Sequence, residues 1–88
     1  MRAAKIRGVR VDVLLFASLR DDLGPQVSVE VAEPATVASL LRALEAAHPA
    51  IARFRGRAKA AVNETWAHET DAVRPGDTVA LLPPIAGG

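Results

Sequence analysis

The sequence of 88 residues contains no cysteine and only three aromatic side chains, Phe16, Phe54 and Trp66. Without cysteine there is neither a disulfide framework nor a thiolate nucleophile. Besides carboxylates, only His48 and His68 could ligate a metal, and they do not stand at the spacing of a metal motif. We therefore expect a chain that holds no metal and no bound cofactor.

The chain also lacks an excess of charge of either sign, because it has 11 Lys and Arg residues and 10 Asp and Glu residues. Non-specific nucleic-acid binding needs a basic excess, and single-strand binding needs stacking rings among basic residues. No apolar run approaches the length of a membrane span, and residues 1–8 lack the apolar core of a signal peptide. We predict a cytoplasmic protein that binds neither nucleic acid nor a membrane.

The distribution of apolar residues divides the chain into three segments. Residues 1–8 form a basic lead-in that we expect to be flexible, residues 9–82 form the folded domain, and residues 83–88 form an extended tail. A chain of this length buries only a modest core, so we expect a single domain.

The folded segment has strand patterns at both ends and one helix pattern in the middle. Alternating valines begin a first strand within 9–19, a second strand pattern covers 27–31, and the last covers 78–82. Between them Thr36 is a good N-cap, and apolar residues then recur at helical spacing: Val37, Leu40, Leu41 and Leu44. This order predicts an α+β fold of the ubiquitin-like β-grasp type, a mixed β-sheet with one main helix packed on one face. A right-handed connection would place the last strand parallel to the first.

Three smaller features complete the prediction. The apolar run at 14–16 interrupts the alternation of the first strand and predicts that both faces of the sheet are covered there. Residues 60–62 form a short strand pattern that ends in a turn at Asn63-Glu64. The basic residues within 53–59 predict a solvated loop, with contact to an acidic partner as the less favoured alternative.

The chain ends in Pro83-Pro84-Ile85-Ala86-Gly87-Gly88, directly after the last predicted strand. Prolines favour an extended path and reduce the entropy that the tail loses when it is bound. Glycines can pass a narrow channel and leave the Gly88 carboxylate unhindered. That carboxylate needs activation, for example as an acyl-adenylate, and without cysteine any carried sulfur would be held there as a thiocarboxylate. A tail without a role is the alternative.

Four stretches resemble the small, sulfur-carrying subunit of molybdopterin synthase: LLPPIAGG at 81–88, PGDTVA at 75–80, VLLFASLR at 13–20 and AVN at 61–63. The double glycine is shared with other ubiquitin-like carriers. The Pro-Pro before it and the Phe-Ala-x-x-Arg segment are more particular to this family. The resemblance extends from about residue 9 to residue 88.

The resemblance implies a non-catalytic sulfur-donor subunit of a heterotetrameric synthase. An adenylating enzyme related to the ubiquitin-activating enzymes would use ATP and Mg²⁺ to convert Gly88 to an acyl-adenylate, and a sulfurtransferase or desulfurase would supply the sulfur. The tail would insert into the large, catalytic subunit, where sulfur passes to cyclic pyranopterin monophosphate. The inserted residues before Gly88 would be Pro83, Pro84, Ile85, Ala86 and Gly87.

The same resemblance implies a partner interface. The positions that match Phe16, Trp66 and Leu82 form an exposed apolar patch in that family, and Arg20 matches the arginine after its first strand. Because exposed apolar clusters mark partner sites, we predict these four residues at the interface. Ordinary core packing is the alternative for the three apolar residues. An exposed ion pair with Asp21 or Asp22 is the alternative for Arg20.

Three other functions remain open from the residues. The chain could carry sulfur for thiamine, cysteine or tRNA thiolation, because the same terminal chemistry serves each pathway. It could be a ubiquitin-like modifier that is joined to lysines through Gly88. It could also be a binding module whose tail is passive.

Overall fold

The computed structural model describes residues 8–54 and 56–84, which form seven strands and three helices. In chain order the elements are β1 (Gly8–Leu15), α1 (Ala17–Leu23), β2 (Gln26–Ala32), β3 (Ala35–Thr36), α2 (Val37–Ala47), α3 (Pro49–Ala52), β4 (Lys59–Val62), β5 (Thr65–Trp66), β6 (Ala72–Val73) and β7 (Val79–Leu82).

Five of the strands form one mixed sheet in the order β2-β1-β7-β4-β5, and β3 pairs with β6 in a separate two-stranded ladder. Strand β1 is antiparallel to β2 and parallel to β7, whereas β4 is antiparallel to both β7 and β5. The predicted α+β β-grasp fold is therefore confirmed, including the parallel pairing of the first and last strands. Strand β7, which leads into the tail, is the central strand of the sheet.

The core lies between one face of the sheet and helix α2. Alternate residues of β1 point to this inner face and are buried, and the same alternation buries Val79 and Leu81 on β7. From α2, Leu40 and Leu44 are fully buried in the same core cluster. Burying one such side chain stabilises the fold by about 1.5–3 kcal/mol relative to leaving it in water. The predicted helix stripe is confirmed, with Leu41 half-buried at its margin.

The start and end of α2 follow from local chemistry. The Thr36 hydroxyl accepts from the Ser39 backbone N–H at 3.2 Å, and the Ser39 hydroxyl accepts from the Thr36 N–H at 2.9 Å. This capping box satisfies two of the N–H groups that a helix start leaves without partners. At the other end His48 is the C-cap, and Pro49 begins the short helix α3. The predicted N-cap is confirmed.

The sequence patterns missed the shortest elements. Strands β3, β5 and β6 have two residues each, and α3 has four, which is too short for a hydrophobic period to appear. They form because tertiary pairing holds them, as when Ala35 pairs with Val73. The first strand also differs from its predicted limits, since it begins at Gly8 and ends at Leu15. The rest of the predicted lead-in, residues 1–7, lies outside the described residues. No helix in 8–54 or 56–84 has both the length and the apolar character to span a membrane.

Candidate functional site

The tail leaves the fold from the middle of the sheet. Pro83 follows the central strand β7 directly and is buried, whereas Pro84 is exposed. The remaining tail residues, Ile85, Ala86, Gly87 and Gly88, lie outside the described residues. The structure thus gives the point at which the tail emerges, and the predictions for Gly88 and its neighbours stay predictions.

The outer face of the sheet, opposite α2, carries an apolar row beside this exit point. Strand registers place Leu14 opposite Ala80, Ala80 opposite Ala61, and Ala61 opposite Trp66. Each of these positions alternates with a strand neighbour directed to the inner face, so all four side chains belong to the outer face. One row of apolar side chains therefore crosses four strands.

A second row lies next to the first, towards the tail. Leu82 is half-buried on β7, and Phe16, the residue after β1, is 40% exposed. Trp66, at the end of the first row, is 62% exposed although it is the largest apolar side chain in the protein. We call the six residues of these two rows the outer apolar patch: Leu14, Phe16, Ala61, Trp66, Ala80 and Leu82. The structure thus brings three of the four predicted interface residues together on one surface.

The prediction that the apolar run at 14–16 is covered on both faces of the sheet is wrong. Leu15 is buried on the inner face, but Leu14 is only half-buried and Phe16 is exposed on the outer side. The run continues the outer apolar patch instead. The sequence shows that a strand residue is apolar, but it does not show whether the core or a partner covers it. The apolar pattern therefore could not distinguish a buried position from a position at an interface.

Arg20, the fourth predicted interface residue, lies one helical turn after Phe16. Its backbone N–H donates to the Phe16 carbonyl at 3.4 Å, which closes the first turn of α1, and the residue is exposed. The nearby Asp22 pairs with Arg53 at 2.8 Å. Arg20 therefore stands beside the patch on the helix that follows it rather than on the sheet, and no described contact assigns it a role.

Trp66 is held in place by a tight hairpin. Asn63 and Glu64 both have positive φ, 52° and 68°, as expected for a two-residue hairpin turn of the primed type. The Asn63 backbone N–H donates to the Thr78 carbonyl at 2.7 Å, and its side-chain oxygen accepts from the Thr78 N–H at 3.0 Å. This arrangement ties the Trp66 hairpin to the start of β7. The predicted turn at Asn63-Glu64 is confirmed.

Asp77 extends the same network. Its carboxylate accepts from the Arg74 backbone N–H at 2.8 Å and from the Asn63 side-chain amide at 3.1 Å. These two hydrogen bonds stabilise the ionised form, so the pKa of Asp77 lies below its ordinary value of 3.8. The turn before β7 and the turn before β5 are thereby joined through charged and amide groups at the end of the sheet opposite the tail.

A groove of about 600 Å³ lies on the helix side of the domain, away from this surface. Its lining includes Leu41, Arg42 and Ala58. None of the predicted site residues contributes to it. The predicted interface residues therefore lie on an open surface beside the tail exit and do not line this groove.

Sequence inspection missed half of the outer apolar patch. Leu14, Ala61 and Ala80 join it only because strand registers align them with Trp66. The signal available in the sequence was the short β4–β5 hairpin, since it fixes Trp66 opposite Ala61 once the turn at Asn63 is recognised. The register between β7 and β1 and the pairing of β7 with β4 could not be obtained that way.

Comparison with known families gives one match over most of the chain. The model of the ThiS family matches residues 13–88, which include the whole outer apolar patch and the tail.

Comparison with individual proteins finds relatives of the same size. The molybdopterin synthase sulfur carrier subunit of Escherichia coli is 34% identical over 80 residues, covering 89% of this chain and 99% of its own length. The protein of the same description from Mycobacterium tuberculosis is 33% identical over 82 residues, covering 91% and 99%. Among solved structures, small archaeal modifier protein 1 of Haloferax volcanii is 33% identical, with a TM-score of 0.77 and coverage of 89% and 100%.

Proposed function

This chain belongs to the ThiS family, and from that premise we propose that it is the sulfur-carrier subunit of a molybdopterin synthase. The structural observation that carries the proposal is the position of the tail. It emerges from the central strand of the sheet, immediately beside the outer apolar patch. A partner that covers the patch would therefore meet the tail at the same time.

The tail supplies the reacting group in this proposal. A Gly88 carboxylate oxygen attacks the α-phosphorus of ATP, Mg²⁺ neutralises the phosphates, and pyrophosphate leaves. A sulfur nucleophile then attacks the acyl-adenylate and AMP leaves, so that sulfur replaces one oxygen. A donor at the oxidation level of sulfide makes this exchange redox-neutral, whereas a persulfide donor needs two electrons from a thiol. The chain contributes no cysteine to any of these steps.

Two other proteins would act on the terminus. An adenylyltransferase related to ubiquitin-activating enzymes would form the acyl-adenylate, and the large synthase subunit would receive the thiocarboxylate. In the large subunit, sulfur would pass to cyclic pyranopterin monophosphate and the carboxylate would be restored by water. This chain would contribute docking through Phe16, Trp66 and Leu82, with Arg20 beside them, and delivery through residues 83–87. Aromatic side chains that a partner buries often supply much of the binding free energy of an interface.

A second candidate is a ubiquitin-like protein modifier. The observation in its favour is the likeness to the Haloferax volcanii protein, whose description is a modifier and whose fold matches with a TM-score of 0.77. Both functions need an activated Gly88, and they differ in the nucleophile that attacks it. Sulfur gives a thiocarboxylate, whereas a lysine amine gives an isopeptide.

Intact mass of the protein isolated from its own host distinguishes these fates. We expect a species in which one oxygen is replaced by sulfur, and we expect it to be absent when Gly88 is deleted. Conjugates of higher mass, joined to lysine through Gly88, would establish the modifier instead. If deleting Gly87 and Gly88 changed neither the mass states nor cofactor synthesis, the proposed function would be refuted.

The pathway needs a separate experiment. The thiocarboxylated chain is mixed with a molybdopterin synthase large subunit and the pyranopterin precursor, and dithiolene formation is followed. We expect conversion to depend on the thiocarboxylate. Sulfur that stays on Gly88 in this mixture would point to a different acceptor, such as one for thiamine, cysteine or tRNA thiolation.

A further inference from the structure

The basic residues between α3 and β4 have different surroundings. Arg53 pairs with Asp22 at 2.8 Å, and its guanidinium carbon lies 5.4 Å from the centre of the Phe54 ring. Arg57 donates to the Arg53 carbonyl at 3.0 Å and lies 5.8 Å from the same ring. Both arginines thus hold the loop together through contacts within the chain.

Lys59 differs from these arginines. It is exposed, and its side chain makes no hydrogen bond or ion pair with the other described residues. As the first residue of β4 it is paired with Leu82, and its neighbour Ala60 is buried on the inner face. The alternation of the strand therefore places Lys59 on the outer face, in the same row as Leu82 and next to the point where the tail emerges.

Lys59 is also isolated from other charges on this surface. The remaining outward-facing charges described on the sheet lie on β1 and β2, at the other edge of the same face. There Arg10 and Asp12 are 3.6 Å apart, and Glu30 is paired with Arg10. Within the outer apolar patch and its paired positions, Lys59 is the only charged side chain among residues 8–54 and 56–84. An ammonium group thus borders an apolar surface at the base of the tail.

A partner that covers this surface would remove water from the Lys59 ammonium group. Removing an ammonium from water is costly unless an anion pairs with it. We propose, on the basis of the proposed function, that the large synthase subunit presents an Asp or Glu carboxylate opposite Lys59, at the mouth of the channel that receives the tail. The pair specifies how the patch is oriented on the partner, because apolar contacts alone are non-directional.

Affinity measurements test this with the full chain and the large subunit. Lys59→Met keeps most of the aliphatic stem and removes the charge. It should weaken binding by about 10–100-fold in calorimetry at low salt, Lys59→Glu should weaken it further, and Lys59→Arg should stay close to the wild type. The salt dependence of association should also become shallower in Lys59→Met. Arg42→Met is the matched control, because it removes one positive charge on the helix side and should leave binding unchanged.

Cross-linking gives a direct test of the contact. A carbodiimide joins an amine to a carboxylate in direct contact, with loss of water, and Lys5 is the only other lysine in the chain. We expect the complex to give a cross-link between Lys59 and an acidic residue of the large subunit, located by mass spectrometry and absent from Lys59→Arg. All these variants change an exposed side chain, and an unchanged melting temperature verifies that they fold.

The outcomes separate this inference from the proposed function. If Lys59→Met binds as tightly as the wild type at every salt concentration, or more tightly, Lys59 stays in water and the inference is wrong. The same result with Trp66→Ala impaired would leave the docking function intact. If the wild type does not bind a large subunit at all, both proposals fail together.

Discussion

The two faces of the central sheet are built from the same strands, yet one face is buried and the other is partly exposed. On the inner face, Val13, Val79 and Leu81 are at most 1% exposed beneath α2. On the outer face, the neighbouring residues Leu14, Ala80 and Leu82 are only partly buried, and no described helix packs over them. Both faces are apolar at this point of the sheet. The difference lies in what covers them, and it separates residues that stabilise the chain from residues available to a partner.

This contrast also shows why the tail begins where it does. Strand β7 contributes to the core through one set of alternate residues and to the outer apolar patch through the other. A strand buried on one side cannot shift without disrupting the core, so the tail exit is fixed relative to the patch. An exit that is already ordered suits the proposed carrier, because ordering the base of the tail during binding would weaken the complex.

The largest effect is expected from the inner face. Leu40→Ala should lower the free energy of unfolding by about 2–5 kcal/mol, because it leaves a cavity in the core. Urea denaturation measures this, and Leu41→Ala at the half-buried margin should cost less. The folded fraction of Leu40→Ala should still bind the large subunit normally. A binding defect in that folded fraction would mean that the two faces are not independent.

Trp66→Ala should leave the stability of the fold almost unchanged and should weaken binding to the large subunit. Its side chain is 62% exposed, so the unfolding free energy should change by no more than about 0.5 kcal/mol. Calorimetry with the large subunit should show a loss of about 2 kcal/mol or more, close to 30-fold in affinity. Glu64→Ala in the same hairpin is the control and should bind normally. Equal affinities for the two variants would remove Trp66 from the docking surface.

Acid should weaken the network that holds the Trp66 hairpin, with the smallest of the three effects. The pKa of Asp77 lies below 3.8 in the folded state because its carboxylate accepts hydrogen bonds. A lowered folded pKa gives stability that is present above the unfolded value and is lost as pH falls through the folded value. Denaturation at a series of pH values should therefore show a shallower acid loss for Asp77→Asn. An identical acid profile in the variant would contradict this role for Asp77.

Much of the fold could be predicted because its signals are local. Thr36 caps a helix through a residue three positions away, and the valines of β1 and β2 alternate within single strands. The turn at Asn63-Glu64 also depends on neighbouring residues. The two-residue strands were beyond reach, because pairing partners such as Ala35 and Val73 are far apart in the chain and neither segment has a pattern of its own.

The candidate site could be predicted only in part. The sequence and its family resemblance pointed to Phe16, Trp66, Leu82 and the tail, but they did not indicate that Leu14, Ala61 and Ala80 complete the same surface. That surface depends on the order of strands β1, β7, β4 and β5. Its registers also distinguish Lys59 from the arginines of the same basic stretch, which the sequence presents as one cluster.

The sequence by itself determined which chemistry can be proposed for this protein. Because the chain has no cysteine, it offers no thiol side chain to carry sulfur, and the proposed carrier chemistry therefore falls on the Gly88 carboxylate. The tertiary structure decided which apolar residues face inwards and which remain for a partner. Strand alternation gives each residue a face, but only the packing of α2 over one face determines which of the two becomes the core.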